Sequence, residues 1–554
     1  MKATIPRLEL SMEQLRKLVE HTRTEPLSEE EYRQLKAAIE TLGYLTQVLE
    51  DKDTTLQRLR QILFGASTEK TAKVFEEVGI AKVEAGVGAP ETSAKDGDGA
   101  AGARRGHGRN GAKAYAGGQK VQVSHPQLKP GERCPECKKG KLYELTTPGV
   151  LVRVTGQAPL AATVYELQKL RCNLCGEVFS AEAPEGVGVE KYDERAGSML
   201  ALLKYGSGVP FHRLEKLQAN LEVPLPASTQ WEIVEEVAQV LDPVYKELIQ
   251  QAAQGEVLYN DDTKMRVLTL MGESPPASGE EVPAQAAEEQ EGIDPDRTGV
   301  FTSGIVSTRE GKKIALFFTG RKHAGENLAD VLAQRAAELG PPIQMCDALA
   351  ANVSQDLKVI VANCALHGRR KFVEVAHNFP EECRYVLETF RELYKHEAHC
   401  RKQGQTAEER LAFHQAQSGP LMEGLKKWME KQFAERRVEP NSGLGKAIRY
   451  MQNHWAKLTL FLHKAGAPLD TNIVERTLKK AILHRKNAYF YKTQHGAGVG
   501  DLFMSLIHTC ELHGVNAFDY LTTLQLHAGE LSRSPQDWMP WNHSETRTHL
   551  DTVA

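Results

Sequence analysis

Three carboxylates set among cations carry the chemistry that this sequence can do. Glu475 lies in the segment Thr471-Asn472-Ile473-Val474-Glu475-Arg476, at the start of a predicted helix, and Arg476, Lys479, Lys480, Arg485 and Lys486 follow it. An acid so placed can hold a metal beside phosphates; standing alone it would be an ordinary surface salt bridge. Two upstream aspartates complete a set, each closing a strand-like apolar run: Val257-Leu258-Tyr259-Asn260-Asp261-Asp262-Thr263 and Ile343-Gln344-Met345-Cys346-Asp347. Phosphoryl transfer in DNA requires a water or a 3′-hydroxyl to attack a phosphodiester already surrounded by negative charge. Two Mg2+ ions activate the attacking oxygen and stabilise the leaving one, and hard oxygen ligands suit them. Asp261, Asp347 and Glu475 would supply such ligands, although carboxylates at strand ends also arise as simple caps.

The elements that must position these acids read as alternating strands and helices. Strand patterns cover 257–261, 265–270, 300–307 and 313–318. Between the second and third lies 272–296, acidic, rich in Pro and Ala and poor in large apolar residues, which reads as a disordered insertion in a hairpin. A helix from about 325 to 339 leads into strands at 343–346 and 359–362, and Cys364-Ala365-Leu366-His367-Gly368-Arg369-Arg370-Lys371-Phe372 carries a His and three cations onto the next helix. Residues from about 381 to 464 look almost wholly helical.

A second constellation has a metal-ligand spacing of its own. Cys134-Pro135-Glu136-Cys137 and Cys172-Asn173-Leu174-Cys175 flank a β-rich stretch, so four thiolates, those of Cys134, Cys137, Cys172 and Cys175, can meet around a structural Zn2+ with no open coordination position. The alternative is four unrelated core or redox cysteines. Helical patterns at 196–205, 210–220 and 228–240, the last two joined by a Pro-containing turn, resemble a helix-turn-helix whose final helix presents Thr229, Gln230 and Trp231 to a DNA groove; a plain helical connector is the other reading. Near the N-terminus Leu35, Ala38, Leu42, Leu45, Leu49, Lys52, Leu56, Leu59 and Leu63 recur at heptad steps. That seam predicts a coiled coil holding at least a dimer, unless the helix packs on its own chain. Residues 85–113 read as a flexible linker.

Composition bounds these readings. A chain of 554 residues implies several domains. With 69 Lys and Arg against 73 Asp and Glu, net charge −4, any DNA-binding surface must come from local patches. No apolar run approaches a membrane span and no signal-peptide pattern opens the chain, which places the protein in the cytoplasm without a membrane partner. Nine cysteines, four of them in two close pairs, fit a reduced compartment with one metal site better than a disulfide framework.

Taken together the motifs resemble the insertion-sequence 66 family of transposases, of the DDE type. The resemblance rests on Leu63-Phe64-Gly65 with Ser67, Glu69 and Lys70; Gly106-His107-Gly108-Arg109; the two CxxC pairs; and Tyr259-Asn260-Asp261-Asp262-Thr263 with Arg266-Val267-Leu268. It continues through Cys364–Phe372, Asn472-Ile473-Val474-Glu475-Arg476, the run from His484 to Tyr491, Ser505-Leu506-Ile507 and Gly514-Val515, so it spans about 35 to 521. It implies a ribonuclease-H-like α/β core with a helical insertion inside a multidomain α+β chain, with Asp261, Asp347 and Glu475 as the DDE triad. The usual Asp-Glu-Thr stands here as Asp261-Asp262-Thr263, which leaves open whether Asp261 or Asp262 is the ligand. The usual Asp-Gly-Tyr stands as Asp347-Ala348-Leu349.

The expected layout is a helical, coiled-coil region (1–84), the linker (85–113), a zinc module (114–190), a helix-turn-helix-like DNA-binding domain (191–254), the first part of the core (255–380), the helical insertion (381–464), the second part of the core carrying the Glu (465–525) and a tail (526–554). The expected function is a bacterial, nucleoid-associated transposase using Mg2+ or Mn2+, which cuts the 3′ ends of its element and joins them to target DNA. Arg369, Arg370, Lys371, Arg476, Arg485 and Lys486 would clamp phosphates. Small accessory proteins of the same element are possible partners, and a catalytically inactive, transposase-derived DNA-binding protein is the alternative.

Overall fold

The computed structural model describes residues 190–272, 297–353 and 358–553 continuously, with shorter stretches at 19–22, 26–36, 127–133, 135–143, 158–171, 178–182 and 184–185. The heptad beyond Leu35, the linker, Cys134, Cys172, Cys175 and 273–296 lie outside the described residues. In the expected zinc module, β1 (Lys169–Arg171) pairs antiparallel with β2 (Val178–Ser180), on either side in sequence of Cys172 and Cys175. Arg133 bridges Lys141 around the other motif, and the Gly140 N–H donates to Cys137 Sγ at 3.4 Å. Cys137 itself is exposed.

One compact unit is built on a five-stranded sheet of β3 (Val257–Lys264), β4 (Phe301–Arg309), β5 (Lys312–Gly320), β6 (Ile343–Cys346) and β7 (Ile360–Asn363), ordered β5-β4-β3-β6-β7. β3, β4 and β5 are antiparallel, while β6 and β7 run parallel to β3. The β4–β5 connection is only Glu310-Gly311, with φ of 50° and 80°, a two-residue turn whose positive dihedrals match strand twist. The expected strand at 265–270 is absent. The chain instead turns into a 3-10 helix at Leu268–Met271, and Val267 makes a single bridge to Tyr491.

Helices cover both faces. α1 (Glu194–Ala201), α2 (Phe211–Asn220) and α3 (Ala227–Ala253) share one core with the sheet. α3 runs on well past 240 because Leu241, Val244, Leu248 and Ala252 continue its buried stripe, and Tyr245 Oη donates to Phe317 O at 3.2 Å. α4 (Ala324–Leu332) joins that side. From His367, within α5 (Ala365–Val375), residues 367–404 and 413–453 belong to a second compact unit, helical among the described residues, with α6 (Pro380–Lys402), α7 (Gly419–Ala434) and α8 (Gly443–Asn453). Its interior holds a hydrogen-bonded cluster: His414 Nε2 lies 3.0 Å from Glu397 Oε2, and His414 Nδ1 lies 2.8 Å from Ser418 Oγ.

In the sheet unit, α9 (Asn472–Ala488) lies across β3 and β4, and α10 (Gln494–His513) runs along the outer edge of β5. The outward N–H groups of β5 are satisfied by side chains from successive turns of that helix. Lys313 N meets His513 Nε2 at 3.2 Å, Ala315 N meets Thr509 Oγ1 at 3.1 Å, Phe317 N meets Ser505 Oγ at 3.0 Å and Thr319 N meets Asp501 Oδ2 at 2.6 Å. Two residues of strand and four of helix advance nearly the same distance, so one helix can close a whole edge against further strand pairing.

Candidate active site

β3 and β6 run side by side, with Tyr259 opposite Met345 in parallel register. Asp261 lies two residues beyond Tyr259 and Asp347 two beyond Met345, so the two acids stand at the same level on neighbouring strands. Asp261 is inside β3, which continues to Lys264, rather than at its end. Asp347 is largely buried and held by its surroundings: Oδ1 accepts from Asn352 Nδ2 at 2.6 Å and Leu349 N at 3.2 Å, and its carbonyl accepts from Asn363 Nδ2 at 3.2 Å.

Glu475 sits in the first turn of α9, where Thr471 Oγ1 donates to Oε1 at 3.1 Å. Thr471 is fixed in turn by its N–H on Cys364 Sγ at 3.4 Å, and Cys364 N donates to Cys346 O at 3.0 Å. A continuous relay therefore ties the residue before Asp347 to the start of the helix bearing Glu475. Close approach of that helix depends on Gly304, which pairs with Asp261 in the sheet. A Cβ there would come within 3.0 Å of Leu478 Cδ2 and 3.4 Å of Val474 Cγ2. Val474 packs with Val306 and Ala315, beside Tyr259, on the face of β3 that also carries Asp261.

Electrostatics link the three acids at Asp261. Burial pushes the Asp261 carboxyl up to about 7; the Asp262 N–H, 2.8 Å from Oδ1, opposes that, and the charges of Asp347, Asp262 and Glu475 add to it. Asp262 alternates to the other face, where Oδ2 meets His323 Nδ1 at 2.7 Å. His323 precedes α4 and forms a capping box with Glu326. Of the two adjacent aspartates, Asp261 is thus the one on the side of Glu475.

The expected DNA-contacting residues divide. Gln230 is buried and donates to Leu225 O at 2.9 Å and Phe211 O at 3.2 Å, so it ties α3 to α2 and does not face a groove; Thr229 beside it is half-buried. Arg485 Nη1 is bound to Thr263 Oγ1 at 3.1 Å and to Lys264 O, which makes it a brace for the end of β3. Arg369 is 5% exposed. Arg370 is half-buried, and Lys371, Arg476 and Lys486 are exposed.

Residues 191–498 match the sequence profile of the Transposase IS66 family. The chain belongs to this family. Its relatives include two uncharacterized proteins of Sinorhizobium fredii. One, y4jD, is 25% identical over 426 residues, covering 75% of this chain and 79% of its own. The other, y4qI, is 24% identical over 367 residues, covering 63% and 62%. No helix among the described residues of this IS66 transposase-family protein is long and apolar enough to cross a membrane.

Gly304, Thr471, Asn352 and His323 were not legible as site residues. The two-residue period of β3 does announce that only one of Asp261 and Asp262 can share a face with any third acid. Which one is settled by the helices, and nothing in the local sequence marks it.

Proposed function

We propose that this protein is an active DNA transposase that cleaves the 3′ ends of a mobile element and joins them to target DNA. The observation that carries this reading is the level placement of Asp261 and Asp347 on neighbouring parallel strands, with Glu475 opening the helix that crosses β3 and β4 and its charge acting on Asp261. The charges of Asp347 and Glu475 both raise the cost of ionising Asp261, and the carboxylate oxygens of these acids are hard donors of the kind that suit Mg2+ or Mn2+. When bound, such ions would activate the attacking oxygen and stabilise the leaving one. The strand order, with the Asp261 strand central, antiparallel to β4 and parallel to β6, supports a ribonuclease-H-like core. Arg370, Lys371, Arg476 and Lys486 remain candidates to meet DNA phosphates. A zinc module on Cys134, Cys137, Cys172 and Cys175, assembly through the N-terminal heptad and dependence on accessory proteins stand as further parts of the proposal.

The test is a cleavage and strand-transfer assay with the native element ends and Mg2+. Wild type is expected to cut and join, while Asp261→Asn, Asp347→Asn and Glu475→Gln bind the ends and do neither. Wild type that binds the ends but leaves them uncut with every accessory protein of its element present would return the chain to the inactive DNA-binding alternative.

A further inference from the structure

We propose that Tyr489 and Phe490 form a stacking platform for an unpaired DNA base; the inference rests on the transposase reading and adds to it where the strand leaves the acids. α9 ends at Ala488 in an unusual turn. Tyr489 adopts φ 69° and ψ −42°, and the Phe490 N–H donates to Ala488 O at 2.9 Å, a γ-turn with positive φ centred on a bulky residue. That geometry is rare and strained for any side chain, and glycine would adopt it freely. Strain of this kind persists where the surroundings fix it.

Here they do. Just beyond the turn, Tyr491 N donates to Arg266 O at 2.9 Å, Leu268 N to Tyr491 O at 3.0 Å and Thr269 N to Lys492 O at 3.2 Å. The Tyr491 ring is buried and stacked on His484 at 4.4 Å, and Gly500 leaves room for it, since a Cβ there would lie 2.5 Å from Tyr491 Oη. The clamp buries Tyr491 and leaves the two residues before it outside, Tyr489 62% and Phe490 38% exposed.

The charge around these rings suits a polyanion. Neither 263–272 nor 476–500 contains an acidic residue, and together they carry Lys264, Arg266, Arg476, Lys479, Lys480, Arg485, Lys486 and Lys492. Lys264, Lys486 and Lys492 are exposed. Aromatic faces on a rigid turn beside cations are how proteins hold single-stranded nucleic acid, because every base offers a π-face. Along α9, at ~1.5 Å per residue, the turn lies roughly 20 Å from Glu475, a span of about six stacked nucleotides at ~3.4 Å each. A strand end freed at the carboxylates can therefore reach the platform.

The experiment uses full-length protein and a random-sequence duplex, blunt or carrying a thymidine tail of about ten nucleotides. Wild type should prefer the tailed duplex and change the fluorescence of a 2-aminopurine placed in the tail. The double variant Tyr489→Gly with Phe490→Ser, whose glycine suits the turn, should lose about tenfold or more in affinity for tailed DNA and little for blunt DNA. Tyr489→Trp and Phe490→Trp should keep both the preference and the fluorescence change. Equal loss on both duplexes, or no loss on either, overturns the platform, as does the absence of any tail preference in wild type. If wild type cuts element ends but shows no tail preference, only the platform falls; if it binds no DNA, the transposase reading falls with it.

Discussion

Asp261 on β3 and Asp501 on α10 belong to the same compact unit, and the carboxyls of both are pushed up to about 7, in each case first by burial. Their neighbours differ in kind. Asp501 accepts from Thr319 N at 2.6 Å and Thr319 Oγ1 at 2.7 Å, two hydrogen bonds that favour its charged form and close the edge of β5. Asp261 accepts one N–H, from Asp262, and faces the charges of Asp347 and Glu475. A raised carboxyl is therefore no sign of function by itself. What separates the two is whether the surroundings complete the group or leave a repulsion that only a proton or a cation can relieve.

The comparison is broken most severely at the acids. Asp261→Asn or Glu475→Gln should lower cleavage by a factor on the order of 10³ with folding intact, because each removes charge needed chiefly in the transition state. Activity within a few-fold of wild type in a folded variant would assign Asp261 the same structural role as Asp501. Gly304→Ala should make Leu478 and the start of α9 give by a few tenths of an ångström and cost about tenfold in rate, as expected for a small displacement of Glu475 from Asp261. Normal kinetics would mean that the helix need not sit so close.

Asp501→Ala should leave the chemistry alone and destabilise the fold by roughly 2–4 kcal/mol in urea unfolding, since two buried donors of Thr319 lose their acceptor. A matching loss of activity without unfolding would erase the distinction. A pH series sharpens it. Both folded-state values lie above the ordinary 3.8, so the folded protein holds these protons more tightly than the unfolded chain. Stability is then full below the ordinary value and is lost as pH rises through about 7. In a metal chelator, Asp261→Asn and Asp501→Asn should each flatten that decline, whereas added Mg2+ should flatten only the part due to Asp261. The smallest effect is reserved for Asp262→Asn, which weakens the bond to His323 and should change cleavage by no more than about tenfold; a loss as large as that of Asp261→Asn would give the ligand role to Asp262.

The sequence by itself determined the local pieces. The mostly apolar run Ile343-Gln344-Met345-Cys346 made that strand legible to the residue, and the basic helix beginning near Asn472 carried Glu475 in its first turn as expected. The choice between Asp261 and Asp262 stayed open in the sequence, and the stripe of α3 marked a helix, though not how far it would run. Tertiary structure decided what those pieces face. The stretch 265–270 has the composition of a strand, but Val267 finds its partner in Tyr491, far along the chain, and the residues after it coil instead. Gln230 has the chemistry of a base reader and is spent on two backbone carbonyls. Arg485 has the charge of a phosphate clamp and braces β3. Asp347 and Glu475 act on Asp261 only because β6 pairs parallel to β3 and α9 settles over Gly304. Propensity and periodicity act over a few residues, whereas the partner of a side chain is set by which distant surfaces pack together, and that choice is made by the fold as a whole.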